Sequence, residues 1–157
     1  GLESTIVSTL GAEPEVLRPG SLSRSDLEAL IGPVKCHIQS EQTPLVPGQL
    51  ARHYATRTRL TIVPARTTHK PPTGERAGLL AMSSPMNPDG YAFVEVLSAS
   101  GNLREAARNL FASLRLLDSL GLDHLYAEAC DEQGLGLAIM DRLRRCAVPK
   151  QPQIFAP

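Results

Sequence analysis

The clearest hydrophobic pattern along this chain predicts one long amphipathic helix in its second half. A set of apolar residues follows the spacing of a single helical face: Leu103, Ala106, Ala107, Leu110, Phe111, Leu114 and Leu117. Asn102 precedes the stripe as an N-cap, Glu105 lies three residues later, and Gly121 follows the stripe. The pattern therefore predicts a helix that begins after Asn102 and ends before Gly121.

Short β-prone runs and a second helix surround this one. The predicted strands cover residues 60–63, 79–82, 91–97 and 125–129. The second helix is predicted over residues 135–146, and its last turns, where the helix dipole favours cations, contain Arg142, Arg144 and Arg145. Strands that alternate with helices predict βαβ units. The expected fold class is α/β, a small Rossmann-like domain with a mostly parallel, helix-covered sheet.

The first 32 residues predict two short strands, over 5–7 and 15–17, and then a helix. Ser23 can cap this helix, with Asp26 as a capping-box variant, and Gly32 ends it. The apolar residues of the helix that we expect to face inward are Leu27, Leu30 and Ile31. A segment of about 30 residues cannot bury enough apolar surface to fold alone, so it must pack on something else.

Residues 33–57 contain Pro33, Pro44 and Pro47 and show no sustained periodicity, which predicts a semi-extended linker. The chain is thus divided into three parts. Residues 1–32 form the strand-and-helix segment, residues 33–57 the linker, and residues 58–157 the α/β domain.

Composition narrows the class of protein. The 157 residues carry 16 basic and 16 acidic side chains, and this zero formal charge argues against a strong nucleic-acid-binding surface. No apolar run approaches the length of a membrane span, and no signal peptide is present. Cys36, Cys130 and Cys146 are odd in number and widely spaced, which predicts neither a disulfide framework nor a zinc site. A reducing cytoplasm is the expected location.

Several motifs stand in a fixed order along the chain. They are Ser4-Thr5, Arg18-Pro19-Gly20, Pro47-Gly48 with His53-Tyr54-Ala55, the helix segment 102–111 and the segment 134–143. In this order they resemble the two-domain form of the threonylcarbamoyl-adenylate synthase family. In that family a YrdC-like catalytic domain ends with Ser-Thr and Arg-Pro-Gly motifs, and a linker leads to a C-terminal domain. The family's linker usually reads His-Tyr-Ala-Pro, whereas here Thr56 replaces the proline.

The resemblance implies a reaction that joins L-threonine, bicarbonate and ATP into threonylcarbamoyl-AMP and releases pyrophosphate. ATP, with magnesium, is then a substrate, and no tightly bound cofactor is expected. The product feeds the tRNA-modifying machinery that forms threonylcarbamoyladenosine at position 37. Catalysis would rest on alignment of the reactants and on neutralisation of phosphate charge, so no catalytic acid or base is assigned.

The resemblance also assigns binding residues. Ser4 is expected to bind L-threonine, and Arg18, His53 and Tyr54 are expected to bind ATP, the last two as part of a lid that excludes water. Each has a simpler interpretation. Ser4 could be a surface strand residue, Arg18 a solvated arginine before a turn, and the His-Tyr pair an anchor that pins the linker to a domain surface.

Two other patterns have weaker functional interpretations. Gly134-Leu135-Gly136 resembles half of a dinucleotide fingerprint, but no third glycine follows at the required spacing, so a closely packed helix start is the favoured interpretation. The scattered histidines His37, His69 and His124 have no ligand partners at metal spacing. No metal site is therefore predicted.

In the family, the basic motif that grips the ATP triphosphate lies upstream of the Ser-Thr motif. The chain is therefore expected to be a C-terminal fragment that is inactive alone, with residues 1–32 as the remnant of an α+β catalytic domain. An alternative is a non-catalytic module that binds a nucleotide or a partner. The apolar side chains of residues 1–32 are expected to pair with another copy of the chain, or to fold onto the α/β domain, with self-association favoured.

Overall fold

The structure is a computed structural model, and it describes residue 2 and residues 4–36 and 55–147. Its helices and strands, in chain order, are β1 (Ile6–Ser8), β2 (Glu15–Arg18), α1 (Arg24–Ile31), β3 (Lys35–Cys36), β4 (Arg59–Val63), β5 (Ala77–Ala81), β6 (Phe93–Val96), α2 (Leu103–Ser119), β7 (His124–Glu128) and α3 (Leu135–Cys146).

The larger sheet has four strands in the order β4-β7-β5-β6, and every neighbouring pair is parallel. Leu60 of β4 lies opposite Leu125 of β7, and Leu79 of β5 lies opposite Tyr126. All five residues of β5 are buried, as expected for a strand in the interior of a parallel sheet. The predicted α/β class with a parallel sheet is therefore confirmed.

Helices α2 and α3 pack against one face of this sheet, because their apolar stripes and alternate strand residues form the main core. Asn102 caps α2 as predicted, since its side-chain oxygen accepts from the N–H groups of Arg104, at 2.9 Å, and Glu105, at 3.2 Å. The helix ends at Ser119, and Gly121 takes a left-handed φ of 63°. The predicted bounds of α2 are thus confirmed, and α3 occupies the residues predicted for it.

The smaller sheet has the order β1-β2-β3, with β1 and β2 antiparallel and β2 and β3 parallel. The semi-extended linker predicted over residues 33–57 includes a short strand that was not predicted, because Lys35–Cys36 pair with β2. The backbone N–H of Lys35 also donates to the carbonyl of Pro14 at 2.8 Å. A two-residue strand has no hydrophobic period of its own, so only its pairing partner defines it.

Helix α1 covers the smaller sheet with one residue. The capping box of Ser23 and Asp26 is present as predicted, and Leu27 packs with Val16 and Val34 in a small core. The inward orientation predicted for Leu30 and Ile31 is wrong, since they are 80% and 53% exposed. The short strands offer a small apolar surface, and Leu27 is sufficient to cover it.

The N-terminal residues also contact the larger sheet's core. Leu2 is 3% exposed and belongs to the same apolar cluster as the helices α2 and α3. A hydrogen bond of 3.3 Å runs from Arg142 of α3 to the carbonyl oxygen of Pro19. Part of the N-terminal segment is thus folded onto the α/β unit, which was the less favoured of the two expected arrangements.

Candidate functional site

Ser4 and Arg18, which were predicted to bind two different substrates, lie next to each other. Antiparallel pairing places Ile6 opposite Arg18, with a register shift between Ile6 and Val7. Two residues before Ile6, the carbonyl oxygen of Ser4 accepts a hydrogen bond of 3.3 Å from Nη2 of Arg18. Ser4 is exposed, and Arg18 is half-buried. The Arg18 guanidinium therefore lies against the backbone of the exposed Ser4 at one end of the strand pair.

Gly20 makes this arrangement sterically allowed. A Cβ atom on Gly20 would lie 2.4 Å from the carbonyl carbon of Ser4 and 2.5 Å from the backbone nitrogen of Thr5. Such distances are far inside van der Waals contact, so only glycine lets the Arg-Pro-Gly segment lie against the Ser-Thr segment. This residue was missed as a site residue. Its signal in the sequence is a glycine directly after Arg18-Pro19.

A second bond ties the two motifs together. The side-chain hydroxyl of Thr5 donates to the carbonyl oxygen of Leu22 at 2.7 Å. The Ser-Thr segment is therefore hydrogen-bonded to residues on both sides of Gly20, to Arg18 before the glycine and to Leu22 after the glycine. The two motifs form one unit, which we call the ST–RPG wall and define as Ser4, Thr5, Arg18, Pro19 and Gly20.

Helix α3 supports this wall from the α/β side. Arg142 is 0% exposed, pairs with Asp141, and donates to the Pro19 carbonyl of the ST–RPG wall. Arg145 binds both oxygens of the same Asp141 carboxylate, at 3.0 and 2.9 Å. The sequence predicts Arg142, Arg144 and Arg145 as cations near the negative end of α3, and the structure shows that Arg142 and Arg145 are buried. Arg144 is half-exposed and forms an ion pair with Glu132.

A groove of about 860 Å³ separates the N-terminal segment from the α/β unit. Residues at or near the start of all three helices line it, with Ser23 and Asp26 from α1, Asn102 and Arg104 from α2, and Gly134 at α3. The described lining does not include Ser4 or Arg18. Hydrogen bonds from the Ser23 side chain and backbone lower the pKa of Asp26, so this exposed carboxylate is ionised at neutral pH.

On the opposite face of the larger sheet, aromatic and titratable side chains form a network. His69 lies 2.9 Å from the Tyr91 hydroxyl, and the Tyr126 hydroxyl donates to Glu75 at 2.9 Å. The ring of His124 stacks on Tyr126 at 4.4 Å. Burial, and secondarily the bond to Glu75, raise the pKa of Tyr126 to about 12. These phenols remain protonated at neutral pH and act as hydrogen-bond donors that hold the loop 64–76 on the sheet.

The histidines of this network do not form a metal centre. Among residues 4–36 and 55–147, no group of three or more His, Cys, Asp or Glu side chains is placed to hold an ion. Burial lowers the pKa of His124, against the opposing charge of Glu75, so its ring is neutral at pH 7. His37, His53 and Tyr54 lie outside the described residues, and the structure therefore gives no position for the predicted lid.

All three cysteines of the chain are free thiols. Cys36, Cys130 and Cys146 form no disulfide. Burial raises the pKa of Cys130 to about 11 and that of Cys146 to about 12, so both stay protonated at neutral pH.

Comparison with known proteins assigns the chain to a family. A family profile described as "Threonylcarbamoyl-AMP synthase, C-terminal domain" matches residues 22–148. The chain belongs to this family. The threonylcarbamoyl-AMP synthase of Pyrococcus abyssi is 33% identical over an alignment of 162 residues, which covers 94% of this chain and 46% of that protein. The synthase of Bacillus subtilis is 32% identical over 157 residues, which cover 94% of this chain and 45% of that protein.

Solved structures give the same relationship. The crystal structure of Pyrococcus abyssi Sua5 complexed with L-threonine has a TM-score of 0.77 and 32% identity, covering 94% of this chain and 46% of its own. A variant of that protein, in which an adjacent histidine and tyrosine are both replaced by alanine, has a TM-score of 0.76 and 29% identity. It covers 94% of this chain and 45% of its own. The chain thus spans about half the length of the curated relatives it matches. No helix within the described ranges is long and apolar enough to cross a membrane.

Proposed function

We propose that this chain is the C-terminal part of an L-threonylcarbamoyladenylate synthase and contributes one wall and the lid of its active site. The observation that carries the proposal is the direct contact between Arg18 and Ser4. These residues come from two motifs separated by 14 positions, and they meet in a chain whose relatives are threonylcarbamoyl-AMP synthases. The reaction consumes L-threonine, bicarbonate and ATP.

The chemistry requires alignment more than acid or base catalysis. An N-carboxy-threonine carboxylate attacks the α-phosphorus of ATP while the bond to the β-phosphate oxygen breaks, so pyrophosphate leaves. The exposed Ser4 hydroxyl would hydrogen-bond threonine. The planar Arg18 guanidinium would pair with phosphate or ribose oxygens of ATP. Because these residues contact each other, one rigid wall would hold both reactants in line.

The lid is proposed to contain His53 and Tyr54. One solved relative carries an alanine replacement of an adjacent histidine and tyrosine, and this chain has a single His-Tyr pair in its sequence. A lid of this kind would exclude water from a mixed anhydride that hydrolyses easily. His53→Ala and Tyr54→Ala should then lower adenylate formation more than they lower threonine affinity. Unchanged activity would leave the pair with a structural role only.

Magnesium would enter with ATP as part of the substrate. The described residues contain no group of three or more His, Cys, Asp or Glu side chains placed to hold an ion, so we propose no magnesium ligands among them. The triphosphate and its magnesium would be held by an upstream catalytic domain, and the product would pass to the tRNA-modifying machinery of the cytoplasm.

Pyrophosphate release tests the proposal directly. The longer protein that contains this chain should release pyrophosphate from ATP only when L-threonine and bicarbonate are both present. The 157-residue chain alone should release none, because it spans less than half the length of the synthases it matches. A longer protein without this activity, or an active isolated chain, would each contradict the proposal.

The alternative of a non-catalytic binding module is favoured by one observation, the groove of about 860 Å³ between the N-terminal segment and the α/β unit. Calorimetric titration of ATP separates the two functions. A binding module should bind ATP in the 157-residue chain alone, which contains both sides of the groove, whereas a synthase wall should show ATP binding only in the longer protein.

A further inference from the structure

Arg142 is the largest fully buried side chain of the described molecule, and it reaches out of its own helix. It lies on α3, in the stripe that otherwise packs apolar residues such as Ile139 and Leu143 into the main core. Its guanidinium pairs with Asp141 and donates through Nη2 to the carbonyl oxygen of Pro19, 123 positions earlier in the chain. An arginine in this position is expensive to bury, because its charge leaves water.

Asp141 fixes the orientation of this guanidinium. The carboxylate is itself nearly buried and also accepts two hydrogen bonds from Arg145, one turn further along α3. The planar fork of an arginine can pair with a carboxylate on one side and still aim another N–H at a carbonyl. The direction of the bond to Pro19 is therefore set by the α/β unit and not by the turn that receives it.

Pro19 connects this support to the proposed substrate-binding residues. It is the middle residue of the Arg-Pro-Gly motif. The residue before it, Arg18, donates a hydrogen bond to the Ser4 carbonyl, and the residue after it, Gly20, packs on the Ser4 backbone. Leu2, two residues before Ser4, is buried in the core that α3 helps to form. The ST–RPG wall is thus held against α3 at two points, one polar and one apolar.

We propose that Arg142 is a positioning residue for the synthase site, which clamps the ST–RPG wall in place from across the chain. The inference rests on the proposed function, and it gives the C-terminal unit an indirect part in substrate binding. Arg142 acts through Pro19 and would touch neither substrate. Loss of the clamp should leave the α/β unit folded but loosen the wall, so that Ser4 and Arg18 are no longer held in place.

The clamp itself is tested in the 157-residue chain, without reference to activity. Arg142→Met should speed hydrogen–deuterium exchange of amides in residues 5–22 while α2 keeps its protection. Arg144→Met is the matched control, because Arg144 is half-exposed on the same helix and pairs with Glu132. Equal exchange over residues 5–22 in the two variants would overturn the clamp.

Kinetics in the longer protein test positioning. Arg142→Met should raise KM for both L-threonine and ATP by about 10-fold, the effect of losing one buried hydrogen bond to a charged group. Arg142→Lys should restore thermal stability, since its ammonium still pairs with Asp141, but should keep raised KM values because it lacks the planar fork. Arg142→Lys also keeps the test open if the methionine variant fails to fold.

A destabilised control excludes a general folding effect. Leu110→Ala removes a fully buried side chain of α2 and should lower stability with KM values close to those of the parent. If Arg142→Lys has parental KM values, or if Leu110→Ala raises both KM values as much as Arg142→Met, the positioning role is wrong. A parent without threonine- and bicarbonate-dependent pyrophosphate release would instead contradict the proposed function.

Discussion

Single residues decide how the two motifs of the proposed site meet. The Ser4 and Thr5 backbone lies so close to Gly20 that no side chain fits between them. Arg18 and Thr5 then add hydrogen bonds on either side of this contact. A wall built from backbone contact and two side-chain bonds is rigid, and rigidity is what an alignment mechanism needs.

Gly20→Ala should destabilise the chain by about 1–3 kcal/mol, because the new methyl group would displace the Ser4 backbone. The measurement is the free energy of unfolding in urea. Gly11→Ala is the matched control, since its Cβ would meet only the Glu13 carbonyl oxygen, at an ordinary 3.6 Å. Equal stability of the two variants would show that the close approach is relaxed in solution.

In the longer protein, Ser4→Ala and Arg18→Met should have different effects on the KM values for L-threonine and ATP. Ser4→Ala should raise KM for L-threonine and leave KM for ATP unchanged, because it removes only a hydroxyl. Arg18→Met should raise KM for ATP, and for threonine as well, since Arg18 also holds the Ser4 carbonyl. Initial rates of pyrophosphate release give both constants.

Arg24→Met is the control for these substitutions. Arg24 is half-exposed on α1 and pairs with Glu28 on the same helix, so its loss should leave both KM values unchanged. Parental kinetics in Ser4→Ala and Arg18→Met would assign the motifs a structural role only.

Among the elements, α2 fixes the point where the chain enters the larger sheet. Asp118 in its last turn accepts from the backbone N–H of Arg57 at 3.0 Å and of Thr58 at 2.8 Å. Burial on its own raises the pKa of Asp118, but these two N–H groups and the nearby Arg57 outweigh it and lower the pKa below 3.8. The ionised carboxylate thus joins α2 to the residues before β4.

This depressed pKa predicts a stability that depends on pH. The contribution of Asp118 is complete above the unfolded-state pKa near 3.8 and is lost as the pH falls through the lower folded-state pKa. Asp118→Asn should therefore cost about 1.5–3 kcal/mol at pH 7, and the cost should shrink as the pH falls through the lowered folded-state pKa of Asp118. Urea unfolding across this range checks the effect. A cost that is equal at both ends of the range would mean that the charge is not involved.

At the scale of the whole molecule, few contacts join the N-terminal segment to the α/β unit. The N-terminal segment also exposes apolar side chains to solvent. Leu2 and Arg142 connect it to the α/β unit, whereas Leu10, Leu30 and Ile31 are 98%, 80% and 53% exposed. Strand β1 is also an edge of the smaller sheet. Exposed apolar residues near a strand edge favour association with another copy.

Self-association through residues 1–32 stays a prediction, and light scattering after size-exclusion chromatography can measure it. The 157-residue chain should associate, and both a chain starting at Leu60 and a Leu30→Glu, Ile31→Glu variant should be monomeric. Leu116→Glu places the same charge on an exposed apolar site of α2 and should leave association unchanged. A monomeric parent chain would refute the prediction.

The sequence by itself determined the elements that carry a period or a cap. The stripe from Leu103 to Leu117 and the Asn102 cap predicted α2, and the alternation of strands with helices predicted the parallel sheet, because burial of one face forces these spacings. The motifs also identified Ser4 and Arg18, which the structure brings into contact.

The tertiary structure decided the features that depend on a partner far along the chain. Strand β3 exists because β2 lies beside it, and Leu30 stays exposed because the smaller sheet offers too little surface to cover. The burial of Arg142 was not predicted, although its place on the apolar stripe of α3 was a visible signal. Its partner, the Pro19 carbonyl, is 123 positions away, and a local pattern holds no information about a contact over that distance.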